Sequence, residues 1–131
     1  MTPNTKPIFV LTPHIGAVSI STANTNRDGT GTIGTCFTAG ANGSRINRVT
    51  VKSNETPGAG MVRLYLHDGS SYYLWKESKV TAITPSATVK TFEEIIPLQG
   101  ENALVLPSGW SLRASTHLAD TFLVIAEGGD Y

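Results

Sequence analysis

Residues 60–77, GMVRLYLHDGSSYYLWKE, decide the fold class of this 131-residue chain. Apolar residues alternate with polar or aromatic ones over residues 62–66, and the same two-residue period resumes over residues 73–76. The dipeptide Asp68-Gly69 lies between the two segments. Glycine tolerates positive φ at little cost and aspartate bonds to nearby backbone, so this pattern predicts a β-hairpin. The hairpin indicates the fold class but does not indicate any catalytic or binding function.

Length and charge limit the possible classes of protein. A chain of this size forms one domain and buries roughly two-thirds of its unfolded surface, so it needs no disulfide or structural metal. Its single cysteine, Cys36, has no intrachain partner.

Ten basic residues balance ten acidic ones, which argues against a nucleic-acid or anionic-membrane partner. No apolar run reaches the ~20 residues of a membrane span, and the start does not resemble a signal peptide. We therefore expect synthesis in the cytoplasm.

The first 14 residues predict an extended arm, and residues 15–131 predict one domain. Pro3, Pro7 and Pro13 each fix φ and remove a backbone donor, which disfavours a central strand. An apolar run lies between these prolines. The apolar run either docks across a neighbouring subunit, or covers the core of its own domain or forms an edge strand. The candidate contact residues are Pro7, Ile8, Phe9, Val10 and Leu11.

Turn-forming residues recur every ~8–12 positions between short apolar or alternating segments, a pattern typical of a sandwich or barrel. Residues 121–127 are apolar on both faces, so we expect a central or interface strand there. Residues 86–96 leave room for a turn of helix, and residues 128–131 form either a loose tail or one tied down by Tyr131. The predicted strands are the hairpin and residues 17–22, 32–38, 45–53, 80–83, 89–96, 103–106, 110–115 and 121–127.

Residues that often carry chemistry are present but not clustered, so we predict no catalytic, cofactor or metal site. The three histidines lack metal-ligand spacing, and His67-Asp68 is interpreted as a solvated turn. Cys36 is predicted to be a small buried side chain rather than a nucleophile, because no lysine or arginine is next to it in the sequence. Glu93 and Glu94 point to opposite faces of a strand and cannot act together on one substrate. The chain is therefore predicted not to be an enzyme.

Five aromatic residues could serve a core, a subunit interface or a sugar-binding platform, and the first two uses are favoured. They are Tyr65, Tyr72, Tyr73, Trp75 and Trp110. Charged residues make up only 15% of the chain, so little charge is available to keep sheet edges apart. Burying edges against partners is one remedy, which favours an oligomer.

Several segments resemble a group of small capsid decoration, or cement, proteins encoded in the structural regions of tailed phages. The resemblance covers roughly residues 32–131 and lies in scaffold segments rather than active-site signatures. The segments are RVTVK at 48–52, GMVRLYLHDG at 60–69, AITPSA at 82–87, LPSGWSLRAST at 106–116, and the ending at 122–130.

The resemblance implies a jelly-roll-like antiparallel β-sandwich of about eight strands with an extended N-terminal arm. It implies a virion protein that stabilises the capsid exterior by binding the major capsid protein shell as a homotrimer. No catalytic residues or cofactors are carried over. The alternative is a carbohydrate- or receptor-binding module of a phage fibre or tail tip, which would expose a row of tryptophan or tyrosine. A further alternative is a head-fibre or tail-tube component, which would belong to the virion but would not lie on the capsid exterior.

Overall fold

A computed structural model describes residues 10–98 and 100–131, except for the side chain of Glu101. Within them the chain forms nine strands and one short 3-10 helix, which confirms the all-β prediction. The elements are β1 (Thr12–Ile20), β2 (Gly34–Thr38), β3 (Ser44–Ser53), β4 (Gly60–His67), β5 (Tyr72–Val80), β6 (Glu93–Pro97), η1 (Gly100–Asn102), β7 (Leu104–Leu106), β8 (Ser111–Thr116) and β9 (Phe122–Asp130).

The strands form two antiparallel sheets in a jelly-roll order. The first sheet has the order β1-β9-β3-β6, with the short β7 also paired to β3. The second sheet has the order β2-β8-β4-β5. These two strand orders contain six pairings, and only the β4–β5 pairing joins strands that follow each other in the chain. Long-range pairing therefore holds the domain together, as expected for a jelly roll.

The predicted hairpin is present as β4 and β5, but its turn is longer than the Asp-Gly dipeptide. His67 pairs with Tyr72, so residues 68–71 form a four-residue connection. The Asp68 carboxylate accepts hydrogen bonds from the backbone N–H groups of Ser70 (2.9 Å) and Ser71 (2.7 Å). Gly69 has a φ of 102°, the conformation that glycine was expected to supply. These contacts fix the register of the hairpin.

Several strand boundaries differ from the sequence prediction. Strand β1 begins at Thr12, within the predicted arm, and Pro13 is tolerated because β1 lies at the sheet edge. Residues 81–83 and 89–92 are not strand, and residues 86–96 contain no helical turn. Strand β9 continues to Asp130, and the Tyr131 N–H donates to the Gly43 carbonyl, so the tail is tied down. The central position of β9 confirms the prediction for residues 121–127.

The core lies between the two sheets and consists of one side of each strand. Its members are buried side chains at alternate positions, as the two-residue period requires. Phe92 and Phe122 meet edge to face within it, with ring centroids 6.4 Å apart. The main strand residues of the core are Ile20, Phe37, Ile46, Val49, Val51, Val62, Leu64, Leu112, Ala114, Phe122, Val124 and Ala126.

The part of the outward face of the second sheet around β4 is covered by the loop of residues 21–33, here called the covering loop. Its backbone accepts hydrogen bonds from two outward side chains of β4, Arg63 to the Asn24 carbonyl (3.1 Å) and Tyr65 to the Asn26 carbonyl (3.0 Å). Arg63 is consequently only 1% exposed and Tyr65 is fully buried. Strand β4 is therefore buried on both faces, although its sequence alternates.

Candidate functional site

The outward face of the first sheet carries a row of mainly apolar side chains. Ala17 of β1 pairs with Ile125 of β9, which pairs with Thr50 of β3, which pairs with Ile95 of β6. Ile95 is 49% exposed, and Ile15, two residues before Ala17 on β1, is 69% exposed. We call this surface the apolar face. On the second sheet, by contrast, the covering loop buries the outward side chains Arg63 and Tyr65 of β4, while Leu74 of β5 stays 40% exposed.

Charged residues on the apolar face are paired with one another. Arg48 donates to both carboxylate oxygens of Glu127 (2.8 and 2.7 Å), and Lys52 donates to Glu93 (3.1 Å). These pairs lie on neighbouring strands in register, the arrangement that favours opposite charges across a sheet. Because each of these cations already has a carboxylate partner, a molecule that covers this face needs apolar surface more than counter-charge.

The described end of the predicted arm approaches the apolar face. The Leu11 N–H donates to the Asp130 carbonyl (2.7 Å), and Leu11 is 83% exposed. A Cβ placed on Gly129 would lie 2.6 Å from the Val10 side chain, so Val10 packs closely against the backbone of β9. The other predicted contact residues, Pro7, Ile8 and Phe9, lie outside the described residues. Two of the five predicted contacts thus sit beside the first sheet.

A serine, a histidine and an aspartate meet at one end of the sandwich. The Ser44 hydroxyl donates to Asp130 Oδ1 (2.5 Å), and His14 Nδ1 lies 2.8 Å from the same oxygen. A nucleophilic triad needs the histidine between the serine and the acid. Here both groups contact the acid directly, and the imidazole stacks on Phe37 with centroids 4.0 Å apart. The cluster joins β1, β3 and β9 and has the wrong connectivity for acyl transfer.

Acidification is expected to destabilise this end of the sandwich. Hydrogen bonds from Ser44 and then from His14 lower the pKa of Asp130 below its ordinary value of 3.8. A carboxyl whose pKa is lower in the folded state contributes stability above pH 3.8, and that contribution is lost as pH falls through the lower folded value. Asp130→Asn should remove this part of the decline in unfolding midpoint below about pH 4, measured by thermal melts. Parallel pH profiles of the two proteins would contradict it.

The other residues that often carry chemistry, Cys36, Glu93 and Glu94, have structural roles here. Cys36 is buried, its thiol lies 3.3 Å from the Val124 carbonyl, and burial raises its pKa to about 12, so it is not a thiolate at neutral pH. Glu93 and Glu94 have separate partners, Lys52 and the Ser78 hydroxyl (2.8 Å), which confirms that they point to opposite faces. Within the described residues no three histidine, cysteine or acidic side chains gather as metal ligands.

The aromatic residues divide between buried and exposed positions. Tyr65 is buried beneath the covering loop, while Trp75 and Trp110 are partly buried against the core. Tyr73 is half exposed and its ring is nearly parallel to that of Trp110, with centroids 6.1 Å apart and an 18° interplanar angle. The Tyr73 hydroxyl donates to Asp68 (2.9 Å) in the hairpin turn. One aromatic pair at the hairpin end is therefore accessible, rather than a row.

A buried polar network beneath the covering loop was missed by sequence reasoning. Besides its bond to Asn24, the Arg63 guanidinium donates to His117 Nδ1 (3.1 Å), and its Nε lies 3.7 Å from Glu77. Arg27 of the loop binds the same carboxylate through its own Nε at 3.1 and 3.2 Å. The only sequence signal was the alternation of Arg63 with apolar neighbours, which predicts its face but not its burial.

The chain matches no protein-family model, no curated protein and no solved structure. In the described part of the chain, no helix has the length and apolar character required to cross a membrane.

Proposed function

We propose that this protein is a structural component of a bacteriophage virion that decorates and stabilises the capsid exterior. In this proposal it binds the shell of the major capsid protein as a homotrimer, performs no reaction and needs no cofactor. The observation that carries the proposal is the apolar face, which presents apolar side chains of β1, β9 and β6 without a covering segment among the described residues.

The contrast between the two outward faces supports a protein partner. The chain's own loop covers the β4 part of the second sheet through Arg63 and Tyr65 and leaves Leu74 40% exposed. The first sheet has no such cover among the described residues and exposes Ile15 (69%) and Ile95 (49%). Exposed apolar patches on soluble proteins mark interaction surfaces when they are contiguous. Jelly rolls occur in viral capsid proteins and also in lectins and cupins, so the fold alone does not choose among these functions. The resemblance to capsid decoration proteins in residues 48–52, 60–69, 82–87, 106–116 and 122–130 favours the first.

In a trimer, weak contacts between each copy and the shell would be sufficient for tight attachment. Three linked copies convert the second and third binding events into intramolecular ones, and this can raise the overall affinity ~10²–10⁴-fold without new contacts. Each copy then needs only a modest apolar surface. Light scattering of the purified protein should give three times the 13.9 kDa mass of the chain. A monomer mass would contradict the trimer.

Charging the apolar face is expected to abolish attachment. The double variant Ile15→Asp/Ile95→Asp changes two exposed side chains, so the chain should fold with an unchanged circular dichroism spectrum. Burying unpaired carboxylates against a partner is costly, so binding to shells of the cognate major capsid protein should weaken at least about tenfold. Co-sedimentation with empty shells measures this affinity.

Val89→Asp provides a matched control, because Val89 is exposed to a similar degree in the 81–92 connection and lies outside the apolar face. This variant should bind shells like the unchanged protein. Equal binding by the double variant and the control would overturn the assignment of the apolar face. Loss of binding in both would indicate a non-specific effect of added negative charge.

The second candidate function is that of a carbohydrate- or receptor-binding module on a phage fibre or tail tip. It is favoured by the accessible Tyr73 ring, by its near-parallel partner Trp110, and by the Asp68 carboxylate beside them. Aromatic faces and adjacent polar groups are usual in ligand sites. A glycan array separates the candidates: binding that is lost in Tyr73→Ala would favour this function over decoration.

A further inference from the structure

A groove opens at the border of the covering loop and the second sheet, on the opposite side of the molecule from the apolar face. Its volume is about 310 Å³. It lies between Arg27 of the loop, the first residues of β4 and His117, which follows β8. Its lining residues are Arg27, Ala59, Gly60, Met61, Arg63 and His117.

Two of the three polar side chains that line the groove, Arg27 and His117, have hydrogen-bond donors without a partner among the described residues. Arg27 binds Glu77 through Nε alone, so its terminal nitrogens have no acceptor among the described residues. Because a guanidinium can only donate, Nδ1 of His117 must accept the bond from Arg63, which leaves the imidazole proton on Nε2. The groove therefore suits a ligand whose polar atoms are acceptors.

The base of the groove holds a buried guanidinium that is incompletely paired. Arg63 is 1% exposed, and its Nε is buried without a hydrogen-bond partner among the described residues. The nearest carboxylate oxygen, on Glu77, is 3.7 Å away, beyond hydrogen-bond distance, and the same carboxylate also serves Arg27. Buried charges are normally both paired and hydrogen-bonded. This site meets that requirement only in part.

The charged groups around the groove favour an anion. Two guanidinium groups, on Arg27 and Arg63, face one carboxylate, on Glu77. Lys79, the register partner of Met61, adds a further positive charge on the same face of the sheet. A carboxylate fits the planar fork of an arginine side chain. An organic carboxylate is a better match than inorganic phosphate, because its organic part can cover the apolar surface of Ala59 and Met61.

We propose that this groove binds the carboxylate group of a small molecule, held by Arg27 and His117 above the buried charge of Arg63. The terminal N–H groups of Arg27 and the Nε2–H of His117 would donate to the carboxylate oxygens. Ala59 and Met61 supply apolar surface for the rest of the ligand. The site is independent of the proposed capsid attachment, which uses the other sheet.

An NMR titration of the complete chain tests the proposal. Sodium D-glucuronate is added to 15N-labelled protein at pH 7 and constant ionic strength, with D-glucose as the uncharged analogue and inorganic phosphate as the competing anion. We expect saturable shifts of the amide signals of Gly60, Met61 and His117, with a Kd on the order of 1–10 mM. D-glucose should produce no saturable shift, and phosphate should bind more weakly than glucuronate.

Two matched variants locate the site. Arg27→Gln should weaken glucuronate binding at least about fivefold, because it removes a charge-assisted donor from the groove. Arg48→Gln removes an exposed arginine that is also paired with a glutamate, but on the other sheet, and should leave the Kd unchanged. Absence of saturation by 100 mM glucuronate (roughly tenfold above the expected Kd), equal loss in both variants, or tighter binding of phosphate would each overturn the proposal.

Discussion

Replacing Arg63 by alanine is expected to lower the free energy of unfolding by about 3 kcal/mol. The side chain is among the largest that are fully buried, so its removal leaves a cavity between β4 and the covering loop. The change also leaves the Asn24 carbonyl and His117 Nδ1 without their donors. An unsatisfied buried acceptor costs about 1–3 kcal/mol. Urea denaturation followed by circular dichroism measures the loss.

Two companion variants identify the source of this loss. Arg48→Ala removes an arginine that is paired with Glu127 but is exposed, so it should cost less than about 1 kcal/mol. Arg63→Met retains most of the buried volume but none of the donors, and should recover part of the stability lost in Arg63→Ala. If Arg63→Ala costs no more than Arg48→Ala, the covering loop does not bury the guanidinium in solution.

Gly128→Ala is expected to destabilise the first sheet by about 3 kcal/mol or more. A Cβ on Gly128 would lie 1.8 Å from the Arg45 carbonyl oxygen and 2.9 Å from the Ile46 Cα, both in the neighbouring strand β3. Real Cβ atoms do not approach backbone so closely, so β9 and β3 would have to separate. The close approach occurs beside a register shift between Ile46 and Arg48, where β3 carries one extra residue.

The control for this variant is Gly58→Ala. A Cβ on Gly58 would make contacts no shorter than 3.4 Å, to Leu118 and Asp120, and its backbone does not require positive φ. Its effect should lie within about 1 kcal/mol, in either direction. Thermal melts of the two variants give the comparison. A Gly128→Ala protein as stable as the Gly58→Ala protein would show that β9 does not pack this tightly on β3.

The sequence predicts side-chain direction better than burial. The two-residue period places Val62 and Leu64 on one face of β4 and Arg63 and Tyr65 on the other, and the structure confirms both assignments. Burial of the second face depends on the covering loop, whose contact carbonyls lie 39 residues earlier in the chain. A local period carries no information on such a distant contact.

The candidate sites likewise include features that the sequence predicts and features that it does not. The apolar character of β9 was visible as a run without alternation, and its central place in the first sheet is the expected consequence. The groove was not predictable, because Arg27, Arg63 and His117 are separated by 36 and 54 residues and share no spacing motif. The meeting of Ser44, His14 and Asp130 likewise requires β1, β3 and β9 to be adjacent.

The sequence pattern alone predicts an all-β protein with a hairpin over residues 60–77 and an apolar strand over residues 121–127 in a central or interface position. Period-two patterning and Asp-Gly chemistry act over a few residues, so they can be read locally. The tertiary structure is needed to explain why the covering loop buries Arg63 and why Ile15 and Ile95 remain exposed. These features depend on pairings between strands that are distant in the chain. The favourable free energy of those pairings is gained only when the two sheets and the covering loop come together.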